Sequence, residues 1–183
     1  MNILLLQLKR IGDLILTIPA IATLRENFPD ARVTLVVSNE CAALLPAISN
    51  VNRVLLARRN LHDLALFLAI AREKFDCCID FTRNDRSAFL AFLSGARQRI
   101  VSYRVRDQSK RRAHVYNNFV AVRMRDMHTV EYHLALLGPL GIRGLPARYI
   151  WNCHGQHAKK RMRFGAIRRS MNPMSFFIQG LRA

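Results

Sequence analysis

The chain has 183 residues, 51% of them apolar, and a net charge of +17. That composition excludes intrinsic disorder and is enough for one domain with a real core. No apolar run reaches the roughly 18 to 20 residues that cross a bilayer, and the charge calls for an anionic partner: nucleic acid, an anionic membrane surface or a phosphorylated substrate.

Taken in order, Ile3 to Leu6 is a continuous apolar run without alternation. Such a run predicts a strand buried on both faces, as in a parallel sheet. The stretch before Lys9 is too short for a signal-peptide core and lacks a basic start, so the cytoplasm is the expected compartment. A turn at Gly12-Asp13 leads into helical spacing through Leu14, Ile15, Ile18, Ile21 and Ala22. Pro19 should kink that helix or split it near Ile18. Val33 to Val37 predicts a second strand. Glu40 to Ile48 reads as a short helix and Arg53 to Leu56 as a third strand. Leu61 to Lys74 is a helix with Leu61, Leu64, Leu68 and Ala71 on one face, and Cys77 to Phe81 is a fourth strand. Ser87 to Leu93 is a helix and Gln98 to Ser102 a fifth strand. Strands alternating with helices predict an α/β, Rossmann-like parallel sheet with flanking helices.

From Arg97 to Arg125 there are nine Lys or Arg and one acid, with Tyr103 and Tyr116 interleaved, and an extended basic loop is expected. Helical spacing resumes from Thr129 to Leu140, ended by Pro139 and Gly141. The domain is expected to run over residues 1–146. Residues 147–183 read as a basic irregular tail: from Trp151 it holds seven Lys or Arg and no acid, a composition that suggests a frameshifted or otherwise foreign end.

The candidate site residues lie in strand-to-helix turns, where open parallel sheets bind ligands. Asp13 is either a helix cap or a general base, and both can hold at once. Lys9 and Arg10 are either solvated charges or anion holders, and Gly12 lets the backbone turn and approach a ligand. Arg83, Asn84 and Arg86 follow the fourth strand and should project from the same edge; the alternative is a polar loop in which Asp85 or Ser87 caps the next helix. The basic stretch could bind phosphates and bases, although no helix-turn-helix, zinc-finger or RRM signature accompanies it. The four cysteines make no CxxC pair, and Cys153, His154 and His157 are a poor zinc set without a second nearby cysteine. GxGxxG, Walker A and DxD patterns do not occur, which argues against a nucleotide cofactor or a metal-held nucleotide sugar in this chain.

Together these residues resemble glycosyltransferase family nine, the ADP-heptose:lipopolysaccharide heptosyltransferases. The likeness is carried by Leu8 to Ala20, Phe28 to Ala31 with Val33 to Val37, Asp80 to Ser87, Leu93 to Ala96, and Met127 to His133. It implies the N-terminal half of a GT-B fold, with Asp13 as the base of an inverting, metal-free transfer of heptose. No cofactor is implied; ADP-heptose would be the donor, held by a second domain for which 183 residues leave no room. The implied partners are a phosphorylated lipid A–inner core saccharide and the anionic inner-membrane surface, with peripheral attachment there. Nucleic acid is not the expected partner. The chain alone is expected to transfer sugar poorly. The competing reading is a non-catalytic basic module for lipopolysaccharide, anionic membrane or nucleic acid.

Overall fold

The computed structural model describes residues 1–58, 63–122 and 125–142. Six strands form one sheet: β1 (Asn2–Gln7), β2 (Arg32–Ser38), β3 (Arg53–Ala57), β4 (Cys77–Asp80), β5 (Gln98–Ser102) and β6 (Asn118–Val120). Their order is β3-β2-β1-β4-β5-β6 and every pairing is parallel. β1 is central, with Leu5 opposite Leu35 on one side and Ile79 on the other. That position explains its unbroken apolar run, because Ile3 to Leu6 are buried on both faces of the sheet.

The helices are α1 (Ile11–Ile15), α2 (Ile18–Asn27), α3 (Leu64–Arg72), α4 (Asp85–Leu93), α5 (Arg104–Gln108), α6 (Lys110–Ala113) and α7 (Thr129–Ala135). Pro19 splits the first helical segment as its missing N–H requires: α1 stops at Ile15 and α2 restarts with the proline in its opening turn. Residues Asn39–Ala47 make a 3-10 helix in place of the expected α-helix, with Pro46 inside it. On one face of the sheet, Leu4, Leu6 and Val36 pack with Leu66, Ile70, Leu90, Val101, Val105 and Tyr116 in a continuous core. On the other face α2 packs against α7. Cys77 and Cys78 are buried free thiols, and burial pushes Cys77 up to about 12.

Two sequence expectations need correction. α3 does not bury Leu64, Leu68 and Ala71. Leu64 is 62% exposed, Leu68 is 42% exposed and Ala71 is exposed, while Leu66 and Ile70 face the core. The segment Leu-Ala-Leu-Phe-Leu-Ala-Ile-Ala-Arg is apolar on nearly all sides, so periodicity alone could not select the buried face. Residue 61 lies outside the described residues. The basic stretch is also not an extended loop: α5, α6 and β6 occupy it, and Val105 and Tyr116 are buried in the core. Residues 147–183, with Cys153, His154 and His157, lie outside the described residues. Among the described residues no helix is long and apolar enough to cross a membrane.

Candidate functional site

The strand order reverses between β1 and β4, so the connections leaving these two neighbours diverge. The crevice at their carboxyl ends is where this architecture takes ligands. Hydrogen bonds knit the two loops together there. The Leu8 N–H donates to Thr82 Oγ1 at 2.7 Å, and the Phe81 N–H donates to the Leu6 carbonyl at 3.0 Å. Lys9 and Arg83 therefore sit one residue beyond a shared contact, on opposite lips of one crevice.

Asp13 stands in the first turn of α1, one turn after Lys9. Its side chain does not cap the helix: Arg10 holds the cap position and no side-chain cap bond forms. Instead the Asp13 carboxylate pairs with Lys9, Nζ to Oδ1 at 3.6 Å, with its side chain 30% exposed. A half-wet pair at this distance contributes at most about 1 kcal/mol to stability, so the carboxylate is accessible at little energetic cost. Burial, then the charge of Arg83, holds the Lys9 ammonium below its usual range, against the pull of Asp13.

The backbone of Asp13 is held from behind. Where α1 ends, the Leu16 N–H reaches the Gly12 carbonyl and the Thr17 N–H closes onto Leu14. The carbonyl of Asp13 is served by side chains instead. Thr17 Oγ1 donates to it at 2.7 Å and Gln7 Nε2 at 3.3 Å, while Gln7 Nε2 also donates to Thr17 Oγ1 at 2.6 Å. His133 of α7 completes the cluster: its Nδ1 lies 3.2 Å from both the Leu16 carbonyl and Thr17 Oγ1. A carbonyl only accepts, so Nδ1 carries the proton and Nε2 is a bare lone pair. Gln7, Thr17 and His133 are all buried. Burial pushes the His133 imidazole down to about 4, so it is neutral at physiological pH.

Across the crevice, Asp80 at the end of β4 is the buried hub. Its Oδ1 accepts from the backbone N–H groups of Thr82 (2.7 Å) and Arg83 (3.1 Å). Its Oδ2 accepts from Ser87 Oγ (2.7 Å) and the Tyr116 hydroxyl (2.5 Å). Burial still outweighs these bonds and holds the carboxyl above its usual range. Arg83 has φ +66°, its carbonyl accepts from Arg112 Nη1 at 2.6 Å, and its guanidinium lies 5.1 Å from the centre of the Tyr132 ring.

The other expected site residues are placed as follows. Asn84 caps α4 in a reciprocal box with Ser87, its Oδ1 accepting from the Ser87 N–H at 2.8 Å. Arg86 pairs with the buried Asp63 carboxylate and donates to the Arg58 carbonyl, which ties α4 to the start of α3. Arg10 is exposed at the head of α1. Gly12 lies within α1 and is not among the glycines with positive φ, so no tight turn depends on it; a Cβ added there would meet nothing within 4 Å. The space above it is open to a ligand. The structure thus brings Lys9, Asp13 and Arg83 to one crevice and gives Asn84 and Arg86 local structural partners. Sequence reasoning missed Gln7, Thr17, His133 and Arg112. One usable signal was a polar Gln ending a wholly apolar strand; a second was Thr17 two residues before a helix-splitting proline.

No protein-family model matches the sequence, and no curated protein is found as its relative. Solved structures do match. The E. coli heptosyltransferase WaaC, solved with ADP, superposes with TM-score 0.66 at 22% identity, covering 80% of this chain and 49% of that one. The glycosyl transferase family 9 structure from Veillonella parvula gives TM-score 0.65 at 19% identity, covering 79% and 42%. The E. coli ADP-heptose lps heptosyltransferase II gives 0.61 at 19%, covering 74% and 40%. The chain spans about half the length of these structures. At such identities the likeness establishes the fold, a Rossmann-like unit of the kind found in GT-B glycosyltransferases.

Proposed function

We propose that this chain carries the acceptor side of a heptosyltransferase of lipopolysaccharide core synthesis. The observation that carries the reading is the placement of Asp13: a carboxylate at the switch point between β1 and β4, within reach of solvent and flanked by Lys9 and Arg83. Support comes from the structural neighbours, one of them named for ADP-heptose and lps, and from the opening motif. In the proposed reaction an acceptor hydroxyl gives its proton to Asp13. Its oxygen bonds to the anomeric carbon of the heptose while the bond to the ADP oxygen breaks on the opposite face, inverting that centre. Lys9, Arg10 and Arg83 hold the acceptor, with Gly12, Asn84 and Arg86 shaping its surroundings. The phosphorylated acceptor and the anionic inner-membrane surface both suit a chain of charge +17.

Titration of the purified chain with deacylated inner-core saccharide and, separately, with RNA tests this. The saccharide should bind and Lys9→Gln should weaken it; sequence-tolerant, salt-sensitive binding to RNA alone would overturn the proposal in favour of a nucleic-acid module. In an ADP-heptose transfer assay the chain alone should turn over poorly, and Asp13→Asn should lower what turnover it has by about 100-fold or more, the scale of a lost general base. Robust turnover by the chain alone would overturn the reading that it supplies the acceptor side only. Saccharide binding with turnover indifferent to Asp13 would leave a binding module and no base.

A further inference from the structure

The conformation of Arg83 is unexplained by the residue that adopts it. Among the described residues two that are not glycine have positive φ: Asn50 at 69° and Arg83 at 66°. Asparagine visits this region readily because its short side chain bonds locally, whereas a long side chain with a full Cβ does so at a cost. Glycine would make the same turn without strain. The loop nevertheless holds arginine there from three sides, through Asp80 on its N–H, Arg112 on its carbonyl and the Tyr132 ring beside its guanidinium. Backbone strain kept by three part-buried contacts points to a use for the side chain itself.

What the side chain shares is a crevice with Lys9. The Leu8 to Thr82 hydrogen bond brings the two loops into contact, and the charge of Arg83 helps to hold the Lys9 ammonium below its usual range. Two cations held near one another at a partly buried rim repel, and an oxyanion between them would relieve that repulsion while accepting charge-assisted hydrogen bonds from both. Asp13 stands beside this rim, its carboxylate 3.6 Å from the Lys9 ammonium. We propose that Lys9 and Arg83 form a two-cation site for an oxyanion, a phosphate or carboxylate on the acceptor, and that Asp80, Arg112 and Tyr132 are positioning residues that hold Arg83 in its left-handed turn to serve it. This assignment rests on the acceptor-binding reading and names the group that reading would recognise.

The test is an NMR titration of the isotope-labelled full chain, at fixed ionic strength, with inorganic phosphate in one arm and deacylated inner-core saccharide in the other. Saturable shifts are expected at Lys9 and Arg83. Arg83→Gly should weaken phosphate by about tenfold or more, the scale of a lost charge-assisted contact. Its unfolding midpoint should stay level or rise, because glycine relieves the backbone. Arg112→Gln and Arg111→Gln remove the same charge, but Arg111 is exposed on α6; only Arg112→Gln should weaken phosphate. Tyr132→Phe keeps the ring and should keep the affinity. Equal weakening by Arg83→Gly and Arg111→Gln would mean diffuse charge and would overturn the site. So would unchanged affinity in Arg83→Gly, or a lowered midpoint showing that Arg83 serves the fold. Phosphate binding without saccharide binding leaves the site standing and removes the acceptor reading. Saccharide binding untouched by Arg83→Gly does the reverse.

Discussion

Asp13 was visible in the sequence as the acid of a Gly-Asp turn, but the residues that place it were not. Its carbonyl lacks the usual helical donor because the Thr17 N–H closes onto Leu14 instead, and the Thr17 hydroxyl fills the gap by bonding back four residues, with Gln7 beside it. The cost of removing that hydroxyl follows from its burial. Thr17→Val should destabilise the fold by about 1–3 kcal/mol in urea unfolding, because it removes a donor from the Asp13 carbonyl and an acceptor from Gln7 and His133. Thr17→Ser keeps the hydroxyl and should recover most of the loss. Unchanged stability in Thr17→Val would show that the hydroxyl network does not hold the fold. Such a cluster could not be read from the sequence, since Gln7, Thr17 and His133 are brought together only by the sheet and by the packing of α7 on α2.

At the level of elements, the sequence located the strands closely. β5 spans Gln98–Ser102 as expected, and β1 and β2 extend their expected cores by one residue at each end. Strands buried on both faces announce themselves as apolar runs, and Pro19 announced the split between α1 and α2. The last helix, expected over Thr129 to Leu140, stops sooner at Ala135, with Pro139 inside a separate 3-10 turn at Gly138–Leu140. α3 was legible as a helix but not as an oriented one. Its apolar residues cover more than one face, and the choice between them is made by what lies opposite, namely Ala57, Phe75 and Leu90 in the core beside Leu66 and Ile70. The two faces should therefore respond differently to truncation. Ile70→Ala should cost about 2–5 kcal/mol, as for a fully buried aliphatic side chain, while Leu68→Ala should cost about 1 kcal/mol or less. Similar costs at the two positions, measured by chemical denaturation, would contradict the orientation of the helix. The basic stretch misled for a related reason: charge density on α5 and α6 hides Val105 and Tyr116, the buried residues that pin it to the sheet.

For the whole molecule, the buried imidazole couples stability to pH. His133 titrates near 4 in the folded protein and near 6.5 when exposed, so between those values the unfolded chain takes up a proton that the folded one refuses. Its contribution is present in full above pH 6.5 and is lost as pH falls towards 4, by about 3 kcal/mol. Asp80 acts in the opposite sense, since burial raises its folded value and favours the protonated form, so its contribution is lost as pH rises. Comparing the wild-type chain with His133→Gln separates the two. The slope of stability between pH 6.5 and 4 should be shallower in the variant, and an unchanged slope would show that His133 is not the buried group responsible.

The order of the strands also bears on when this crevice can come into being. β1 is made first but sits in the middle of the sheet, and one of its two neighbours is β4; the hydrogen bond that joins the two lips, Leu8 to Thr82, closes a loop of 74 residues. During synthesis the segment carrying Lys9 and Asp13 leaves the ribosome long before Asp80 and Arg83 exist. An early intermediate can pair β1 with β2 and β3, yet it has an open central edge where β4 belongs. Such unpaired edges slow folding and invite association. The docking of β4 on β1 thus completes the crevice and covers that edge in the same step.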